Sequence, residues 1–252
     1  MSKDQLNLSE GEIRLSEWCS QRGIKRFLFD LDDTICPTRA VFREVMAEAF
    51  DFLALNAPTR TRDVWKADVE EINNRLFELM GVNHVRWNFV VDELGEKHNL
   101  QVPLMNEVKQ IFQKIYKTPL AMMDGAEEGL QIIKNVGIPI GIVTHAGRDW
   151  TIMKYDWLNL ARFAQIDEIH VVDENGHKTS ESWLQAIESF GLTPRDCAVV
   201  GDSPRSDINP AMEAGVEHCF LVEDPNIWSI HNLPVDQSVK RIKTLKQIIE
   251  VI

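Results

Sequence analysis

What the chain is short of limits what it can be. No apolar run approaches the roughly 20 residues needed to cross a bilayer as a helix, so no membrane partner is expected. The opening residues, "MSKDQLNLSEGEIRLSEWC", lack the apolar stretch of a secretory leader, and the expected location is cytoplasmic. On the same ground the glycosylation sequon Asn7-Leu8-Ser9 is read as chance. Cysteine is scarce. Cys19, Cys36, Cys197 and Cys219 are scattered with no C-x-x-C pair, which argues against a disulfide frame or a thiolate zinc site and suits free thiols in a reducing compartment. The seven histidines show no metal-ligand spacing. Positive charge is also short, with 27 Lys and Arg against 39 Asp and Glu, a formal net charge of −12. A field of that sign repels nucleic acid, so none is expected as a partner, and any phosphate site must bring its own positive charge. Nothing in the sequence fixes the oligomeric state, and a monomer is compatible with it.

What the chain does have is a core's worth of apolar residues, 44% of 252. Ser9 and Glu12 stand at capping-box spacing and predict a helix to about Arg22, ended by Gly23. A strand, "FLF", follows. From about Thr38 to Lys117 the apolar spacing is helical throughout, as in "VFREVMAEAFDFLAL" and "VEEINNRLFELM". After Thr118-Pro119 helical segments alternate with short apolar runs: "IPIGIVT", "IDEIHVV", "DCAVVGD" and "VEHCFLV". Continuous apolar strands separated by helices predict a parallel sheet covered on both faces. The tail "VKRIKTLKQIIEVI" reads as a closing amphipathic helix. The fold class is therefore α/β, a Rossmann-like parallel sheet flanked by helices, formed by residues 1–37 and 119–252 and interrupted by an α-helical insert at 38–118. The insert's position just after the first strand suits a lid over the sheet's ligand edge.

Chemistry gathers at the strand ends. "RFLFDLDDT" closes an apolar strand with Asp30, Asp32 and Asp33, and no Lys or Arg separates them. Side chains at i and i+2 of an extended segment face one side, so Asp30 and Asp32 can share a spot. Asp202 ends "AVVGD", and Asp207 follows five residues later. In open parallel sheets such ends converge on one crevice. Carboxylates crowded there without a cation would repel and partly protonate; Mg²⁺ bound by oxygens resolves the conflict. Thr144 ends "IGIVT" and offers a hydroxyl, and Lys178 offers a point charge, both suited to phosphate oxygens.

These segments resemble, in order, the four motifs of the haloacid dehalogenase-like hydrolases. "FDLDDT" is similar to the first, "IVTHA" to the second, Lys178 to the third and "VVGDSPRSD" to the fourth. The match is to phosphatases with a helical cap inserted after the first motif, and over 38–118 it rests on position and helical character alone. The resemblance implies a Mg²⁺-dependent phosphomonoester hydrolase acting on a small phosphorylated metabolite. Asp30 would be the nucleophile and Asp32 the acid and base. Asp30, Asp202 and the backbone carbonyl of Asp32 would hold the metal, with Asp207 supporting it or orienting Lys178. Thr144 and Lys178 would hold the phosphoryl oxygens. Two departures stand out: Thr179 follows Lys178 where relatives often have proline, and His145 follows Thr144 where a small polar residue is usual. A dehalogenase needs no acid at the Asp32 position. A nucleotidase-like member, a phosphomutase and a non-catalytic binder of phosphorylated metabolites stay open. Asp33 reads as structural, Trp65 and Trp87 as packing. Asn83, His84 and Arg86, in the loop-like "GVNHVRWN", read as a solvated connection. Asp207 or Asn209 could instead cap the helix that follows them.

Overall fold

A computed structural model describes residues 8–173, 177–225, 227 and 231–252; Asn7 and most of the turn ahead of Lys178 lie outside them. Helix α1 (Glu10–Arg22) starts on a capping box. Ser9 Oγ accepts from the Glu12 N–H at 3.3 Å, and the Glu12 carboxylate accepts from the Ser9 N–H at 2.7 Å. Gly23, in the left-handed region at φ 69°, ends it.

After β1 (Arg26–Phe29) come four helices: α2 (Thr38–Asn56), α3 (Arg62–Met80), α4 (Arg86–His98) and α5 (Val102–Gln113). Their apolar stripes recur at helical spacing, as at Val45, Ala49, Phe50 and Leu53, and close on a core of their own with Trp65, Val69, Trp87 and Phe112. Trp65 and Trp87 are thus packing residues. The chain then alternates: α6 (Ala126–Asn135), β2 (Ile140–Thr144), α7 (Arg148–Trp157), β3 (Ile169–Val171), α8 (Ser180–Ser189), β4 (Cys197–Gly201), α9 (Asn209–Glu213), β5 (His218–Val222) and β6 (Lys240–Ile242).

The strands form one sheet in the order β3-β2-β1-β4-β5-β6, every pairing parallel. Its inner strands β1, β2 and β4 are buried, largely apolar runs because both faces are covered. Phe27, Phe29, Ile142 and Val200 face a core shared with Leu15, Leu130 and Leu245. Leu28, Val143 and Val199 face another, with Trp183, Ile187 and Ala211. All four cysteines are free and buried. Among the described residues no helix is long and apolar enough to cross a membrane.

The tail corrects the sequence reading. Instead of one helix, Lys240–Ile242 adds a sixth strand to β5, and only a short turn and α10 (Ile248–Val251) follow. The exposed edge of β5 offers unpaired backbone groups, and pairing there outweighs the local helical pattern. Leu245 and Ile248 still reach the core.

From β1 the chain runs outward through β2 to β3 on one side, then crosses over from β3 to β4 on the other side of β1. Strand order reverses at that point, and a crevice opens beyond the carboxyl ends of β1 and β4.

Candidate active site

Asp30 and Asp202 leave the two strands that flank this crevice. The Asp30 N–H donates to the Val200 carbonyl at 2.9 Å, so the ladder itself fixes where the carboxylate begins. Asp207 arrives by a tight turn. Its N–H donates to the Ser203 carbonyl at 2.9 Å, and its Oδ2 accepts from the Ser203 N–H at 3.0 Å. Gly201 makes the approach feasible, because a Cβ there would stand 2.5 Å from both Cβ and Oδ2 of Asp207. Capping falls to Ser203, whose hydroxyl accepts from the Ser206 N–H at 3.1 Å. Neither Asp207 nor Asn209 is the cap, because Asp207 already lies inside the turn.

One carboxylate oxygen each from Asp30, Asp202 and Asp207 lie within 4.8 Å of one another, and all three residues are buried. Lys178, also buried, reaches in just ahead of α8. Its Nζ donates to Asp30 Oδ1 at 2.8 Å and to Asp207 Oδ1 at 2.6 Å, with the Trp183 ring beside it. Thr179, the departure from proline, is the N-cap of α8 and accepts from the Ser182 N–H at 3.3 Å.

Charge is crowded here. Burial pushes the Asp30 carboxyl up to about 7, with Lys178 pulling it down and Asp207 and Asp32 raising it further. Asp202 is driven well above the carboxylate range by burial and by Asp207 and Asp30. Burial alone would lower Lys178, but Asp207 and Asp30 more than offset it and hold its ammonium above the ordinary value. Five carboxylates line the pocket against Arg39, Arg86 and Lys178. An all-oxygen set with surplus negative charge can hold a hard divalent cation. Asp207 already has both oxygens engaged, so Asp30 and Asp202 are the freer donors.

Asp32 stands apart. Its Oδ1 accepts from Thr38 Oγ1 and from Lys154 Nζ, and its carboxylate is not in the acidic cluster. Lys154, on α7, is fully buried, and its Nζ lies 3.2 Å from the centroid of the Trp150 ring. Asp33, at φ 61°, accepts from the Arg39 N–H at 2.7 Å and serves the entry to α2, in keeping with a structural role. Burial, opposed by Arg39, raises its carboxyl to about 6.

Thr144 ends β2, fully buried, and its hydroxyl has no partner among the described residues. His145, one residue on, lines the pocket instead, with Nε2 3.1 Å from the Asp173 carbonyl. Phe77 and Arg86 approach from helices of the inserted block, and Val82 and Tyr116 from the turns that follow α3 and α5. Arg86 begins α4 rather than lying in a loop, and its guanidinium donates to the Gly81 carbonyl and to Asn73 Oδ1, the latter at 3.0 Å.

Two site residues escape sequence reasoning. Arg39 is buried and donates to Asp202 and Asp224, with Asp33 at 3.3 Å. Its partners lie up to 185 positions away, and only its closeness to the aspartates in sequence hints at the role. Lys154 sits in a segment that reads as an ordinary amphipathic helix, with no signal pointing to Asp32.

A profile of the haloacid dehalogenase-like hydrolases matches residues 24–215. No curated protein matches the chain. Among solved structures, a haloacid dehalogenase-like family hydrolase from Xanthomonas campestris superposes with a TM-score of 0.73 at 14% identity, covering 90% of each chain. A magnesium-bound HAD-hydrolase from Bacillus subtilis gives 0.65 at 18% identity, over 90% of this chain and 97% of that one. A 2-haloacid dehalogenase from Pseudomonas syringae gives 0.58 at 21% identity over the same shares. At these identities the superpositions speak for the fold alone. The profile, running from two residues before the first strand to the turn after α9, takes in every strand-end motif above, and on it the chain belongs to the haloacid dehalogenase-like hydrolases.

Proposed function

We propose that this chain is a Mg²⁺-dependent phosphomonoester hydrolase acting on a small phosphorylated metabolite, with helices 38–118 as the cap over its site. The observation that carries the reading is the buried cluster of Asp30, Asp202 and Asp207 with Lys178 donating to two of its members. Asp30 attacks phosphorus, forming an O–P bond as the bond to the leaving oxygen breaks. Asp32 gives that oxygen a proton, then takes one from the water that cleaves the aspartyl-phosphate and restores the Asp30 carboxylate. Its separation from the cluster supports this division of labour, since a carboxylate that ligates a divalent metal ion is a poor proton carrier. Lys178 holds Asp30 in place and offers positive charge to the phosphoryl oxygens. The unpartnered hydroxyl of Thr144 fits a phosphoryl acceptor that would approach past the end of β2. Asp30, Asp202 and the backbone carbonyl of Asp32 would hold Mg²⁺, which supplies charge neutralisation between carboxylate and phosphate.

The purified protein should release phosphate from p-nitrophenyl phosphate with Mg²⁺ and none with excess chelator. Asp30→Asn should lower the rate about ten-thousandfold or more while leaving the circular dichroism spectrum unchanged. A wild-type protein that binds Mg²⁺ yet hydrolyses none of a broad set of phosphomonoesters would contradict the reading.

A further inference from the structure

The pocket around the carboxylates has a volume of about 160 Å³. That suits a phosphoryl group and leaves little room for what carries it. Two spaces adjoin it. One, toward Phe77 and Arg86, is a recess of about 150 Å³. The other is a chamber of about 780 Å³ between the helical block and the loop after β2, and it shares Val82, Tyr116 and Trp150 with the pocket. Small-molecule sites span roughly 300–1,000 Å³, so size selects the chamber.

Its walls are unusually aromatic. Trp150 and Tyr116 meet edge to face at 4.8 Å on the border between chamber and pocket. Trp87 and Phe112, stacked at 4.7 Å, form part of the wall on the helical side. Trp150 is not a loose flap, because the Lys154 ammonium lies against its ring and Phe42 packs at 6.4 Å. A flat ring gains from such a wall by stacking, whereas a short acyclic phospho-acid leaves most of the chamber empty.

We propose that the chamber receives the leaving group of the phosphomonoester, and that this group carries a flat aromatic or heteroaromatic ring laid against the Trp150–Tyr116 wall. The proposal rests on the phosphatase reading for the ester and on the chamber for the ring.

The test has two arms. Initial rates with Mg²⁺ compare benzyl phosphate and adenosine 5′-monophosphate with ethyl phosphate and glycerol 3-phosphate. The wild type should favour the ring-bearing pair by at least about fivefold in kcat/KM. Gln113→Trp, which fills the chamber from an exposed position on α5, and Trp150→Leu should each bring that ratio toward one, while Trp150→Phe preserves it. In the second arm, calorimetry follows the binding of adenosine and of benzyl alcohol, which contain no phosphate. Saturable binding in the wild type and its loss in Gln113→Trp are expected. Absence of turnover with every ester would overturn the phosphatase reading, and the binding arm would still decide the ring site. Equal kcat/KM for ring and alkyl esters, with no binding of either alcohol, would overturn the ring site and leave the phosphatase reading standing.

Discussion

The sheet's carboxyl edge and the helical block bury opposite kinds of material. At the edge, Asp30, Asp202, Asp207, Lys178 and Arg39 are all buried, and each is tied to another member of the set or to backbone. In the block beyond the first turn of α2, which carries Thr38 and Arg39 to the edge, the buried side chains are Phe50, Trp65, Trp87, Phe112 and aliphatics, while ion pairs such as Lys97–Asp68 and Arg75–Glu93 stay outside. Arg86 is the exception, and its guanidinium is satisfied within the block. Buried charge is costly unless every group is partnered, so the edge has the character of a site maintained for chemistry. The block has the character of a packed wall, and what it offers a ligand is shape and aromatic surface.

That contrast can be broken most sharply at Lys178. Lys178→Met leaves Asp30 and Asp207 buried without their common cation and should cost about 3–5 kcal/mol, read by urea denaturation. A loss below about 1 kcal/mol would mean the edge is far wetter than its burial implies.

Asp32 comes next. Asp32→Asn should lower kcat/KM for an alkyl phosphate by about 10²–10⁴-fold and for p-nitrophenyl phosphate by much less, because nitrophenolate leaves without a proton. Equal losses on both esters would remove Asp32 from proton transfer.

His231 joins the two regions, with Nδ1 3.0 Å from Ser203 Oγ and its ring edge-on to Phe77 at 6.0 Å. Burial lowers it from 6.5 to about 4, while Asp207 and Glu78 oppose that and Arg205 and Arg39 reinforce it. The fold therefore favours the neutral ring. Its contribution is complete above pH 6.5 and is lost as pH falls through 4. The melting temperature of the wild type relative to His231→Gln should therefore fall over that interval, a difference from which the opposite contributions of Asp30, Asp33 and Asp202 cancel. A difference that stays constant would show that His231 is not the group responsible.

The smallest effect belongs to the outside of the block. Arg75→Ala, which removes the exposed pair with Glu93, should change stability by about 1 kcal/mol or less. A larger loss would blur the distinction between the two regions.

The same contrast explains what was legible in the sequence. Strand ends were readable because a parallel strand is an unbroken apolar run, and a sudden Asp or Thr marks where it meets the crevice. Asp30, Thr144 and Asp202 follow that rule, and the helical periodicity of 38–118 is equally direct. Lys154 was hidden because its pairing with Asp32 spans 122 positions and leaves no local pattern. Arg39 looked like the start of a helix, which it also is. The sixth strand was lost to a segment whose helical spacing yields to an open sheet edge. Ser203 took the cap because the turn that brings Asp207 back to Gly201 consumes the residues that were candidates for it.

The central claim is that Asp30 becomes covalently phosphorylated within this cluster. Acid-quenched single turnovers with ³²P-labelled substrate and Mg²⁺, followed by peptide mapping, test it directly. The account predicts label on the peptide containing Asp30, lost in Asp30→Asn. Phosphate release with no labelled peptide at any quench time, or label that persists in Asp30→Asn, would contradict it.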